Sequence, residues 1–275
     1  MAEGVVERLT WSVRAYVLLS WTWIRVSMAY RTSFTIMTVA QFVVCGLDFV
    51  AIVIMFGSID ALGGFSLAEV AFLYGGAGLC LGMADLLLGN IERLGTKVRM
   101  GTFDAMMIRP VPLFAQMCAD EFALRRIGRI AQAAVVLAWS VTTLDLDWTP
   151  AKVLMLGYLV VCGTAIFLAF FTLGAALQFW TSDASEVANA FTYGGNTFAQ
   201  FPLTIYPAEL VKALTFLIPI AFVNWYPSLF ILGRGDPFGL PEAFQFAAPV
   251  AAVALGLLAS AAWSTGVRRY RSTGS

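Results

Sequence analysis

Long apolar runs separated by short polar stretches make up most of the chain. Residues 33–58, 67–90, 122–144, 153–180 and 244–266 are each long enough, at 1.5 Å per helical residue, to cross ~30 Å of hydrocarbon. A shorter run, 187–203, is rich in small and polar residues, among them Gly194, Gly195, Asn196 and Gln200. Two segments break the pattern. From Arg8 to Arg31, arginines 8, 14, 25 and 31 interrupt an aromatic-rich stretch whose apolar core is too short to cross, which predicts an amphipathic elbow helix lying at the membrane interface. Residues 204–243 are apolar but cut by Pro207, Pro219 and Pro227 into pieces of about a dozen residues, none of which spans alone.

Charge decides how often the chain crosses. Lysine and arginine favour the cytoplasmic side. With six crossings, the N-terminal segment, the loop around 91–131 and the tail after span six all face inward, placing 14 of the 17 basic residues there. Only Lys152, Lys212 and Arg234 then face out. The expected fold is therefore an all-α polytopic membrane protein with six transmembrane helices and both termini cytoplasmic. It forms a single domain over 1–275: an elbow over 1–32, spans one to five over 33–203 with a cytoplasmic loop at 91–118, an outer re-entrant hairpin over 204–243, and span six with a basic tail over 244–275. A backbone so broken is tolerated only where protein or water satisfies its polar groups, so the hairpin should be buried against other helices.

Composition agrees: 60% of residues are hydrophobic and 12% charged, about half the charge of a soluble domain, and mean hydropathy is +0.80. Histidine is absent, which excludes histidine acid–base chemistry, Ser-His-Asp and Cys-His pairs, and histidine metal sites. Cys45, Cys80, Cys118 and Cys162 lie singly in or beside apolar spans with no CxxC, as buried small hydrophobes do. The acidic first turn and the short run between Arg14 and Arg25 do not make a cleavable signal. No catalytic or metal-binding set is expected on this chain, and no nucleic acid among its partners.

The informative cytoplasmic stretch is VRMGTFDAMMIRPVP, residues 98–112. Thr102 can cap a helix and Asp104 sits in its first turn, where a carboxylate is favoured. Pro110 and Pro112 stop it after about two turns. Phe103, Met106, Met107 and Ile108 are its apolar contacts. So short a helix is not stable alone in water: it packs on the protein's own helix ends, or it docks as an aromatic–methionine knob into a soluble partner.

Together the elbow, the run Arg-x-Gly-x-x-Asp-x-x-x-x-Arg-Pro from Arg99 to Pro110, and the outer FPLTIYP and LIPIAFVNWYP segments before span six resemble the membrane subunit of an ATP-binding-cassette transporter, the ABC-2 exporter permease family. The resemblance covers essentially the whole chain. It implies an exporter permease in the plasma (bacterial inner) membrane, working as two permeases, identical or homologous, on two ATPase subunits. It makes Gly101, Thr102, Phe103, Asp104, Met106, Met107, Ile108 and Arg109 the coupling helix that receives motion from the ATPase. No GxxxxGK[ST] loop is present, so no cofactor is expected on this chain, and ATP and magnesium would belong to the partner ATPase.

Polar residues inside spans are costly and face a cavity or a partner. Asp48 falls mid-span one and Asp85 in the inner half of span two, with no basic residue placed inside a span to pair with either. Gln41 lies at a depth that allows a hydrogen bond to Asp85. Arg125, Arg126 and Arg129 are expected to reach from span three to the interface. Gln41, Asp48, Asp85, Asn196 and Gln200 are candidates for a translocation path, or for structural hydrogen bonds between helices. Gly78 and Gly82, at GxxxG spacing, suit close helix packing within the chain or between two permeases. An intramembrane lipid-modifying enzyme would have to draft Asp48, Asp85, Ser182, Asp183 and Glu186 as acid–base groups, and a non-transporting scaffold is the third alternative.

Overall fold

The computed structural model describes residues 2–181 and 184–271, without the side chains of 2–6, 8 and 9. Ser182 and Asp183 thus lie outside the described residues, as does the side chain of Arg8. The described chain is helical: α1 Ala2–Ala29, α2 Arg31–Phe56, α3 Leu67–Leu88, α4 Leu94–Arg99, α5 Thr102–Met107, α6 Leu113–Ala119, α7 Ile127–Thr143, α8 Pro150–Leu177, α9 Ser185–Asn189, α10 Gly195–Ala199, α11 Ala208–Lys212, α12 Trp225–Leu232 and α13 Ala248–Arg269. Helix starts follow local chemistry. Ser66 and Glu69 form a reciprocal capping box at α3, and Thr149 accepts from the Lys152 amide ahead of Pro150 at α8. α12 ends on Gly233, whose φ of 68° closes a turn in which the Arg234 amide reaches back to the Leu229 carbonyl at 2.9 Å.

Among the described residues, four helices are long and apolar enough to cross a membrane: α2, the 67–99 stretch built on α3, α8 and α13. The pair Ala208–Leu217 and Ile220–Leu232, bent by 78°, makes a fifth if counted as one span. The expected span at 122–144 is a shorter helix than expected, and the shorter run 187–203 is helical in pieces. α7 has 17 residues, about 26 Å of rise. The 185–199 segment winds as α9, a π turn at Ala190–Gly194 and α10.

α3 is the axis of the bundle, with 14 residues buried along its length. One side presents Gly75, Gly78 and Gly82 to α7, where a Cβ would stand 2.8 Å from Leu137, 3.3 Å from Ala133 and 2.9 Å from Ile130. The GxxxG pair is therefore an intrachain seam, which settles that alternative. On α8, Gly163 lies against Cys80 of α3 and the Val223 carbonyl, each 2.6 Å from where its Cβ would be. α13 packs along α8. α2 is peripheral: Ile52 is its one buried residue, and it meets α7 at Gly128, where a Cβ would lie 2.2 Å from the Thr38 carbonyl. α1 touches α6 and the start of α2, and its Tyr16 hydroxyl donates to the Leu87 carbonyl at 2.9 Å.

The proline-cut segment is buried only over its middle; its first limb leaves Ile205, Phe216 and Leu217 exposed. Ile220 to Leu229 is buried throughout. Fully buried Asn224 donates to the carbonyls of Leu73 on α3 at 2.8 Å and Ala199 on α10 at 2.9 Å, and its oxygen accepts from the Ser228 hydroxyl at 3.1 Å. The two limbs are joined by the Thr215 and Tyr226 hydroxyls at 3.2 Å. On the loop side, Arg234 grips Glu69 at 2.6 and 2.9 Å and lies 4.3 Å over the Phe65 ring.

Replacing Asn224 by Leu removes both side-chain bonds to neighbouring helices and leaves the Ser228 hydroxyl without its acceptor, and should lower stability in a detergent melt by about 1–3 kcal/mol. Ser228→Ala removes one bond to a side chain and should cost less in the same melting experiment. Equal melts for Asn224→Leu and the parent protein would contradict the pinning described here.

Candidate functional site

Two features at the same end of the bundle stand out: the 91–119 loop and a buried charge cluster beside it. The loop is a built structure. The Gly95 amide donates to Gln178 Oε1 at 2.6 Å, just past the end of α8. Asn90 donates its amide to the carbonyls of Asp120 at 2.7 Å and Glu121 at 2.5 Å. Lys97 pairs with Asp120 and Arg93 with Glu121.

Gly101, at φ 68°, makes the left-handed turn from α4 into α5. It is also the residue that precedes the helix: the Thr102 hydroxyl does not cap but donates to the Lys97 carbonyl at 3.2 Å. The far end of α5 is closed by a residue that sequence reading passed over. Buried Gln116 donates to the carbonyls of Met106 at 3.0 Å and Val111 at 2.8 Å. A glutamine in an otherwise apolar buried turn beside two prolines was the available signal.

The apolar residues of α5 divide. Phe103 is fully buried and Met106 nearly so. The Phe103 ring sits edge-on to Tyr270, 4.9 Å between centroids, and to Phe179 at 5.6 Å. Phe179 continues to Trp263 at 5.4 Å, and Trp263 to Phe114 at 5.2 Å. Phe103 is thus a root held by the ends of α8 and α13, rather than an outward knob. The tip is elsewhere: Ile108 is 86% exposed, Met100 63% and Met107 41%, with Arg109 exposed beside them. Packing on the protein's own helix ends thus holds for Phe103 and Met106, and the opposite face of the helix is left exposed. Asp104 is half-buried next to Tyr270, whose phenol is pushed above its ordinary value first by burial and then by that carboxylate.

The second feature centres on Asp85, 2% exposed. Arg126 Nε lies 3.1 Å from Asp85 Oδ1, and Arg129 Nη1 3.3 Å from Oδ2. Arg126 also donates to the Asp85 carbonyl at 2.9 Å and stands 4.0 Å from Glu92. The Tyr193 hydroxyl lies 3.4 Å from both Asp85 and Glu92, with Arg129 5.5 Å from its ring centre. The expectation that Asp85 has no basic partner is thereby corrected. Span-three arginines turn inward to a buried carboxylate instead of outward to the interface, because the pair satisfies both charges where water is scarce. Arg125 alone of the three is exposed. The Gln41–Asp85 bond does not form; the Gln41 amide donates to Cys45 Sγ at 3.4 Å.

The remaining candidates are dispersed. Asp48 is exposed on peripheral α2. Asn196 is buried on α10, and its Oδ1 has no hydrogen-bond partner among the described residues. Gln200 is half-buried, its amide nitrogen 3.9 Å from where a Cβ on Gly78 would be. Glu186 is exposed, and the acidic residues drafted for an intramembrane enzyme are not gathered into one group among the described residues.

A family model described as ABC-2 family transporter protein matches residues 42–274. No curated protein and no solved structure matches the sequence.

The charge cluster makes a direct prediction. Asp85→Asn leaves two part-buried guanidinium groups facing each other and should destabilise the protein by about 3–5 kcal/mol. Adding Arg129→Gln to that variant should recover part of the loss in the same detergent melt, and additive losses would rule out a coupled pair.

Proposed function

Because the chain belongs to the ABC-2 transporter family, a family of membrane transport subunits, we propose that it is the permease of an ATP-driven exporter, one domain over 1–275 coupled to separate ATPase subunits through α5. The observation that carries the reading is the two-faced α5: a fully buried aromatic root and an exposed apolar tip. Ile108, Met100 and Met107 are exposed together at this tip, and grouped exposed apolar side chains mark a contact surface. The tip is flanked by exposed Arg99 and Arg109, which suit a groove with acidic edges.

In this reading six helices cross, both termini and the 91–119 loop are cytoplasmic, α1 is the interfacial elbow, and 204–243 is the outer re-entrant hairpin. The protein sits in the plasma (bacterial inner) membrane. Two permeases, identical or related, stand on two ATPases, which bind ATP and magnesium. Closure of the ATPases carries α5 with them. Through Phe103 the push reaches the ends of α8 and α13, and through Gln178 and the Lys97–Asp120 pair it reaches α8 and the α6–α7 junction. The cavity at the permease interface then passes from inward- to outward-open. Gln41, Asp48, Asn196 and Gln200 remain candidates for lining that path. Asp85, locked between Arg126 and Arg129, is better suited to holding the inner ends of spans two, three and five together.

Root and tip separate experimentally. Ile108→Asp should leave the detergent melt unchanged while weakening capture of a co-expressed ATPase about 10–100-fold, the equivalent of one lost buried aliphatic side chain. Phe103→Ala should lower the melt by about 3–5 kcal/mol and lose transport as a consequence. Pull-down with mass spectrometry and ATP hydrolysis by the captured subunit are the measurements. Undiminished capture by Ile108→Asp, or ATP hydrolysis by the isolated chain, overturns the proposal.

A further inference from the structure

A groove of about 470 Å³ opens where the end of α1, the start of α2 and the 121–125 turn meet. Its walls have two characters. Trp23 and Val26 of α1 and Phe34 and Met37 of α2 form an apolar side. Arg93, Glu121 and Arg125 supply its charged groups, and Ser27 and Ser33 also line it. Arg93 and Glu121 neutralise each other as an ion pair. Arg125 is exposed and makes no ion pair among the described residues, unlike Arg126 and Arg129 beside it, which turn inward to Asp85. The groove therefore carries one uncompensated guanidinium at the edge of an aromatic and aliphatic wall.

We propose that this groove binds an anionic glycerophospholipid, its phosphate on Arg125 and the upper part of an acyl chain along Val26, Phe34 and Met37. A guanidinium presents paired donors to a phosphate, and Trp and Tyr rings such as Trp23 and exposed Tyr30 favour the headgroup level. A free phosphate would use Arg125 and leave the apolar wall to water. A zwitterionic lipid would bring its own cation to a rim that already holds one. The site joins the elbow to span one and to the turn leading into span three, so an occupant bridges the three elements. The placement of this groove in the cytoplasmic leaflet, where anionic lipids meet basic side chains, rests on the topology proposed above.

The test uses the full chain in nanodiscs of mixed phosphatidylglycerol and phosphatidylcholine, extracted into mild detergent, with retained lipids counted by native mass spectrometry. Phosphatidylglycerol should be retained in preference to phosphatidylcholine. Arg125→Gln should reduce its retention roughly fivefold, Arg125→Lys should restore most of it, and Arg271→Gln, an equal charge change outside the groove, should leave it unchanged. Trp23→Ala should reduce retention without altering net charge. Equal retention of the two lipids, or undiminished phosphatidylglycerol on Arg125→Gln, overturns the proposal. Displacement of the lipid by millimolar inorganic phosphate overturns it in favour of a free-anion site. The count needs neither nucleotide nor ATPase, so a failed Ile108→Asp capture experiment sinks the coupling reading and leaves this one standing.

Discussion

A buried polar side chain must find partners inside the protein, and the fold turns on where one such side chain finds them. Where prolines break the 204–243 backbone, Asn224 supplies two donors to carbonyls of neighbouring helices and takes a hydroxyl in return. That triad holds the hairpin against α3 at Gly76, where a Cβ would stand 2.6 Å from the Asn224 oxygen. A side chain at position 76 would push Asn224 away, and the hairpin with it. The requirement for glycine there and the requirement for asparagine at 224 are one constraint seen from two chains of atoms.

The same central helix organises everything else. Glycines along α3 let α7 approach to backbone contact, and that approach carries Arg126 and Arg129 to Asp85. The seam and the charge cluster are thus linked: a looser α3–α7 crossing would leave Asp85 buried without its partners, the costly state for a carboxylate. The cluster lies beside the loop that carries α5, and Glu92 belongs to both. The cluster thus ties the loop to α3, α7 and the turn that carries Tyr193, whereas the aromatic chain from Phe103 through Phe179 to Trp263 ties α5 to the ends of α8 and α13.

α2 is the exception. It is the most apolar of the long helices together with α8, yet it buries almost nothing of itself beyond its contact with α7 at Gly128. Asp48 lies exposed on it in mid-span. A carboxylate at that depth is tolerated where it faces a cavity or another protein, which is the arrangement proposed for the interface between two permeases.

The amino-acid order alone determined the helical class, the positions of the long apolar helices, the proline-broken hairpin and the short helix between Gly101 and Pro110. These depend on local propensity, on capping and on the length of uninterrupted apolar runs, all of which act within a few turns of chain. It could not say which face of α5 is buried, because Phe103 and Ile108 are equally apolar and only Tyr270 and Phe179, brought from far along the chain, distinguish root from tip. Nor could it pair Asp85 with arginines some forty residues on, or give Gln116 and Asn224 their carbonyls. Those are choices of tertiary structure, made because a buried charge or donor takes the nearest complementary group in space, and spacing along the sequence does not record where that group will be.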